Sequence, residues 1–292
     1  MVRLSFLPPI MLLALAACGS RRTPPPLPTT ADVATPSAAV HQAVLQNEAV
    51  LAEGSPDSRL ATLEATVMGI ADSYGQNSPE TIQALTETST LLSNRERFDL
   101  ALPFMERALT ISREVYGPDH RETAYAMQDV ASLLTEIDPG VHIPRAEQLF
   151  RDALAARLKQ LGPDHPETAA SEAQLAWQLL LGAGAQTLPE QQQAMLAEAE
   201  RLALHAQKIL DAADDDSYWL QVRRIGVEAA FARGDYAEVQ RRVRALPDGV
   251  DYPRGPGLYP DATARELLSK APAEPGLVRP VEPASRTTGV SK

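Results

Sequence analysis

One octapeptide recurs three times in the middle of the chain. Tyr74-Gly75-Gln76-Asn77-Ser78-Pro79-Glu80-Thr81 returns as Tyr116-Gly117-Pro118-Asp119-His120-Arg121-Glu122-Thr123, and again as Leu161-Gly162-Pro163-Asp164-His165-Pro166-Glu167-Thr168. The glycine-to-glycine offsets are 42 and 45 residues. A period of this size marks stacked supersecondary units, each too small to bury an apolar face alone. That constraint disfavours any fold built around one central sheet.

Each unit reads as two helices. Glu80 to Ser93 carries Ile82, Leu85, Leu91 and Leu92 near a helical period, and Phe98 to Tyr116 carries Leu102, Met105, Leu109 and Val115 on one side. Gly75, Gly117 and Gly162 fall where a left-handed residue would end the second helix. The polar residue and proline that follow suit the start of the next helix. Small residues recur where paired helices would approach closely: Ser89, Ala101, Ala108, Ala131, Ala146, Ala153 and Ala176. Only 5% of the residues are aromatic while Ala and Leu are plentiful, which again argues for helices over a β-sandwich or barrel.

Gly-Pro-Asp-His-Pro-x-Thr-Ala, a first helix with a small residue, and then Ala-x-x-x-Phe/Met-x-x-Ala-Leu resemble the 42-residue tetratricopeptide repeat of the kinesin light-chain type. The resemblance spans residues 75–168. It implies an all-α fold of antiparallel helix pairs, stacked into a right-handed solenoid whose concave groove holds peptides or partner helices. A HEAT-type solenoid is the alternative, although its pairs lack this linker. Four to five pairs are expected over residues 40–246, beginning with 40–53 and 56–74. The match loosens at Asp138-Pro139-Gly140, where three extra residues sit between helices. In the third repeat a first helix from Pro166 to Leu181 is followed by Gly182 to Pro189, then a long helix to Leu210. There Ala176 and Ala199 are 23 apart, against 12 for Ser89 and Ala101, so 11 residues are inserted. Arg233-Gly234-Asp235-Tyr236 reads as the turn of a fourth repeat ending near Leu246. Residues 247–292 read as a mostly disordered tail, with a short helix near Pro260 to Ser269.

The first 17 residues have the form of a secretory signal: Arg3, then an apolar stretch from Leu4 to Ala17 that is too short to span a bilayer. Leu15-Ala16-Ala17-Cys18 resembles the lipobox of bacterial lipoproteins, and Cys18 is the sole cysteine. The resemblance implies cleavage before Cys18 and acylation of its thiol; an ordinary signal cleavage is the alternative. Gly19, in place of Asp, points to the outer membrane of a Gram-negative envelope. Residues 18–39, rich in proline, read as an extended tether. The expected location is the cell envelope, lipid-anchored and facing the periplasm.

The chain carries a formal charge of −11, and subtracting +2 for residues 1–39 and zero for 247–292 leaves about −13 on residues 40–246. An acidic folded part is a poor nucleic-acid binder. No nucleophile elbow, phosphate loop or metal-ligand spacing is present, so neither cofactor, metal nor small-molecule substrate is expected. His120 and His165 occupy equivalent places and read as linker residues, although they invite an acid–base or metal reading. Asp214-Asp215-Asp216 reads as an acidic cap. Arg241-Arg242-x-Arg244 reads as a polar helix face, with lipid head groups as the alternative.

Family geometry places a groove along the first helices. Carried over by position, it is lined by Gln83, Thr86, Glu87, Thr90 and Asn94 in the first repeat. Tyr125, Gln128, Asp129, Ser132 and Glu136 follow in the second, and Ala170, Ala173, Gln174 and Trp177 in the third. Trp177 is open between groove and core. This lining departs from the Lys/Asn clamp that holds C-terminal carboxylates, since it has no Lys or Arg and several acids. The expected role is a non-catalytic scaffold for another envelope protein or peptide, such as in secretion, pilus or outer-membrane assembly. A cell-wall-active enzyme or its regulatory subunit, with Glu87 and Asp129 as carboxylates, and a passive envelope spacer are the alternatives.

Overall fold

The computed structural model describes residues 37–47, 56–138, 141–186, 188–213, 218–246, 251, 259 and 262–270. Cys18, the signal segment and Asp214-Asp215-Asp216 lie outside them. Every regular element among the described residues is an α-helix, and the chain forms two compact units that divide between Ile111 and Ser112.

The first unit holds α1 (Ala38–Leu45), α2 (Pro56–Tyr74), α3 (Pro79–Ser93) and the greater part of α4 (Phe98–Val115). α1 packs on both α2 and α3, burying Val40 and Val44 to 1% exposure. This helix begins before the expected tether boundary at 39. The Ser37 hydroxyl caps α1, the Ser37 N–H donates to Gln83 Oε1 at 2.8 Å, and its carbonyl accepts from Gln83 Nε2 at 3.2 Å.

The second unit holds α5 (Arg121–Ile137), α6 (Ile143–Leu161), α7 (Pro166–Ala185), α8 (Pro189–Ala213), α9 (Trp219–Ala232), α10 (Tyr236–Arg244) and α11 (Ala264–Lys270). Each helix packs against the next, and α9 also packs on α7. Odd-numbered helices α5, α7 and α9 are therefore the first helices of successive pairs.

The repeated octapeptide is a compact helix-to-helix joint. Gly75, Gly117 and Gly162 have φ of +108°, +90° and +81°, and their N–H groups donate to Ala71, Arg113 and Leu158 carbonyls at 2.9, 3.1 and 3.1 Å. Gly162 departs from the left-handed region expected of it: its ψ of 174° lies in a region open essentially to glycine alone. Three residues on comes the cap. Ser78 Oγ accepts from Thr81 N–H at 3.1 Å, while His120 Nδ1 and His165 Nδ1 accept from Glu122 and Glu167 N–H at 3.2 Å each. These rings cap only while Nδ1 keeps its lone pair, so the two histidines serve the joint. The threonine completes it: Thr81 and Thr123 hydroxyls donate to Gly75 and Gly117 carbonyls at 2.7 Å each. Thr168, the third, is buried without such a bond.

The small residues lie where helices cross. Ser89, Ala101, Ala108, Ala131, Ala146, Ala153 and Ala176 are all 0% exposed, and Ser89 Oγ donates to the Ala101 carbonyl at 3.0 Å. Around them Leu85, Leu134, Leu175 and Leu179 are buried completely or nearly so, each contributing about 1.5–3 kcal/mol of transfer free energy.

The insertion in the third pair is absorbed as helix. α7 and α8 have 20 and 25 residues, against 17 and 19 in α5 and α6. The first helix does not stop at the expected Leu181 but continues through Gly182 and Gly184 to Ala185. Packing explains a glycine there, because a Cβ on Gly182 would lie 2.6 Å from Met195 Cε and 3.3 Å from Ile143 Cγ2. Ala176 and Ala199 stay at 0% exposure, so the crossing is kept and growth is confined to the α7–α8 end.

The folded part also runs past residue 246. Ala262, Ala264 and Leu267 join Val227, Phe231, Val239 and Val243 in one apolar cluster, and Tyr259 meets Phe231 edge-on at 5.0 Å. Asp251 accepts from the Ala264 N–H at 2.9 Å. Here α11 covers the apolar side of the last pair, as a terminal cap must.

Candidate functional site

The first helices of the second unit share a continuous polar seam. Arg121 at the start of α5 makes a two-pronged pair with Glu167 on α7, Nη2 to Oε1 at 2.7 Å and Nε to Oε2 at 3.1 Å. Tyr125, one turn on, donates its hydroxyl to Glu167 Oε2 at 3.0 Å. Further along, Gln128 Nε2 donates to Ser171 Oγ at 3.1 Å and also to Gln174 Oε1. Thr135 donates to Gln178 Oε1 at 2.9 Å. On α9, Arg224 lies 5.4 Å from the Trp177 ring centroid and pairs with Glu228, Nε to Oε1 at 2.7 Å.

The expected lining is only partly a surface. Gln128 and Gln174 are 1% and 6% exposed, and Ala173 is fully buried. They belong to the joint between α5 and α7 and are not open groove residues. The reason is that these amides pair across the joint, Gln128 with Ser171, Gln174 and Arg157, which leaves only the flanking positions open. Tyr125, Asp129, Ser132, Glu136 and Trp177 remain half-buried. Trp177 is thus neither free in a groove nor wholly in the core.

Glu87 and Asn94 belong to the first unit. Glu87 accepts from Gln83 Nε2 at 2.9 Å and stands 3.2 Å from His41 Nδ1 on α1. Asn94 is the exposed C-cap residue of α3.

Arginines reach the seam although the sequence-derived lining contains none. Besides Arg121 and Arg224, Arg157 comes up from α6 with its side chain 2% exposed. Its guanidinium lies 4.5 Å from the Tyr125 ring centroid, donates to Gln128 Oε1 and Ser171 Oγ, and stands 3.9 Å from Glu167. Reading only first-helix positions misses it, because Arg157 belongs to a second helix. One signal is present: 45 residues earlier, the equivalent position is the buried Ser112, so an arginine there must find polar company inside. Arg242, from the arginine cluster, is spent on structure: it crosses Gly226 to reach Glu200 at 2.8 Å and also pairs with Glu238.

Unmatched groups of both signs remain on this face: Arg157 Nε is buried without an acceptor. Asp129 makes no hydrogen bond or ion pair, and burial pushes its carboxyl up to about 7 despite the opposing pull of Arg157. Solvent still touches the residue. Burial also raises Glu136, about two turns along the same face of α5. Burial lowers Arg157 and raises Tyr125. Among the described residues no group of three or more His, Cys, Asp or Glu is placed to hold a metal ion.

Residues 80–138 match a tetratricopeptide repeat model, and residues 142–167 match a second tetratricopeptide repeat model. No curated protein matches the chain. Two crystal structures of "kinesin light chain nearly identical TPR-like repeats" from Podosopora anserina, a parent and a single-substitution variant, are similar in fold. Each has a TM-score of 0.53 at 16% identity, covering 70% of this chain and 92% of the other. The helix-pair solenoid inferred from the octapeptide is thus shared with solved tetratricopeptide proteins.

Proposed function

We propose that this carrier of tetratricopeptide repeats is a lipid-anchored scaffold of the bacterial envelope, holding another envelope protein or peptide on its first-helix face. Tetratricopeptide repeats indicate a protein-interaction scaffold and are generally non-catalytic. The observation that carries the reading is the seam on α5, α7 and α9, where half-buried aromatics flank unpaired carboxylates. Such a surface combines contact area with polar selectivity. The membrane attachment rests on the lipobox-like Leu15-Ala16-Ala17-Cys18. No helix among the described residues is long and apolar enough to cross a membrane.

Two experiments test it. Cys18→Ser in a Gram-negative host should leave an uncleaved precursor that no longer fractionates with the outer membrane; unchanged migration and fractionation would refute the anchor. A photo-crosslinking residue at Ser132 should capture one defined envelope protein in intact cells, while the same group at the exposed Leu204 of α8 should not. Equal capture from both positions would refute the face.

A further inference from the structure

We propose that His205 is a proton-operated latch: a second proton on its ring, taken up at Nε2, fastens the joint between α6 and α7 to α8, with the buried Glu172 as its anchor. The third pair then tightens in mild acid and loosens above neutrality. This stands whether or not the first-helix face holds a partner.

The first observation is a carboxylate in a core position. Glu172 follows the joint threonine Thr168 by four residues, and at the same step from Thr81 and Thr123 stand Leu85 and Met127. All three are buried, Glu172 at 6% exposure. A carboxylate in such a place is costly unless it is paired. Among the described residues its partner is His205, with Nδ1 2.6 Å from Glu172 Oε2. A carboxylate only accepts, so Nδ1 carries the hydrogen and Nε2 keeps the lone pair of the neutral ring.

The second observation is independent of that burial. Each joint is braced by a basic side chain from the following second helix. Arg107 of α4 donates to Gln76 Oε1 at 2.9 Å, and Lys159 of α6 pairs with Asp119. At the third joint His205 Nε2 faces Asp164 Oδ1 at 4.0 Å. His205 and Arg107 both stand six residues past a small crossing residue, Ala199 and Ala101. Histidine changes its charge between about pH 5 and 8, where arginine and lysine keep theirs. Of the three braces, only the third can be switched. Unprotonated, Nε2 turns a lone pair to the Asp164 carboxylate; protonated, it turns an N–H.

The other charges around α8 are engaged elsewhere or lie along it. Arg201 and Lys208 sit about one turn to either side of His205 on the same helix. Arg223 of α9 goes to Asp211, and Arg233 and Arg242 go to Glu200. One group in the joint opposes the latch: His165 caps α7 through an unprotonated Nδ1. Three residues past Asp164, Glu167 reaches Arg121 and Tyr125 on α5, so the state of the brace is felt at the seam between first helices.

Amide exchange resolved by NMR on the purified full chain reads the joint, each rate being taken against the unstructured rate at the same pH. The Gly162 and Ala169 amides report, since they donate to the Leu158 and His165 carbonyls. His165→Ser serves as the background, because Ser78 supplies the same cap at the first joint without titrating. There, both amides should be about threefold better protected at pH 5.5 than at pH 8, the worth of one half-exposed ion pair. Asp164→Asn, at an exposed position, should abolish the difference without unfolding the chain, and His205→Lys should hold the higher protection at both pH values. The Gly75 amide, at a joint whose cap and brace do not titrate, should not respond. Equal protection at the two pH values, a response that survives Asp164→Asn, or an equal response at Gly75 would overturn the latch.

Discussion

Replacing Asp129 by asparagine should stabilise the protein at pH 8 and do almost nothing near pH 4. The carboxyl is raised from 3.8 to about 7 by burial, with only Arg157 offsetting the cost. A tenfold change in acidity is worth about 1.4 kcal/mol, so holding this group ionised costs at most about 4.5 kcal/mol. Residual solvent contact and the desolvation that an amide also suffers reduce the expected gain to about 2 kcal/mol. The sign follows from linkage. The folded state keeps a proton that the unfolded chain has already lost between pH 3.8 and about 7, so wild-type stability falls across that window and levels off above it. The variant lacks this contribution, and the two curves should meet at the acid end. For a folded region of this size, 2 kcal/mol corresponds to roughly 4–8 °C in melting temperature. Paired thermal melts from pH 4 to 8.5 would measure the difference, and carbon-13 titration of the Asp129 carboxyl would place its midpoint. A variant no more stable than wild type at pH 8, or a gap unchanged with pH, would refute the claim that this carboxylate is held without a partner.

The joint glycines separate backbone strain from packing. Gly162→Ala should cost about 1–3 kcal/mol, because a Cβ there meets nothing within 4 Å and only its positive φ is at issue. Gly69→Ala, equally open but inside α2, should instead gain about 0.5–1 kcal/mol; urea titrations of both variants check the contrast. Glu228→Ala removes the carboxylate paired with the buried Arg224 and the acceptor of the Tyr259 N–H. It should cost about 3–5 kcal/mol and make α11 sensitive to limited proteolysis. Arg224→Met with Glu228→Leu should recover most of that stability, and failure to do so would show that the pair does more than neutralise itself.

The helices and their joints were legible because local chemistry dictates them. A glycine, a cap and a threonine at fixed spacing mean the same thing in each repeat, and Ser89 and Ala101 announce a crossing before any tertiary structure is known. The end of α7 was not legible: Gly182 looks like a breaker, and only Met195 and Ile143 pressing on it explain a glycine within a helix. Gln128 and Gln174 failed as groove residues for a similar reason, since polarity suggests a surface while two buried amides on successive first helices pair with each other across the seam. Arg157 acts across layers, through a distance that no first-helix pattern encodes. The docking of α11 depends on the apolar side that α9 and α10 leave open, which the Pro/Gly-rich sequence around it conceals.

The two ends of a pair are not interchangeable as places to edit the chain. Gly75 to Ser78, Gly117 to His120 and Gly162 to His165 keep one length, tied at both ends by hydrogen bonds. The turns inside the pairs obey no such rule, and the third pair has already been lengthened there. Val141 and Leu188, at two of those turns, are 69% and 55% exposed, and the contact distance from Gly182 to Ile143 places the turns side by side. A reporter peptide, an affinity tag or an entire small domain spliced at Val141 or Leu188 should therefore ride on the scaffold without disturbing its neighbours. The same graft at Asp119 or Asp164 would separate glycine from cap and open the stack at its hinge point. Modularity in this molecule has a direction, and it runs towards the turns within the pairs.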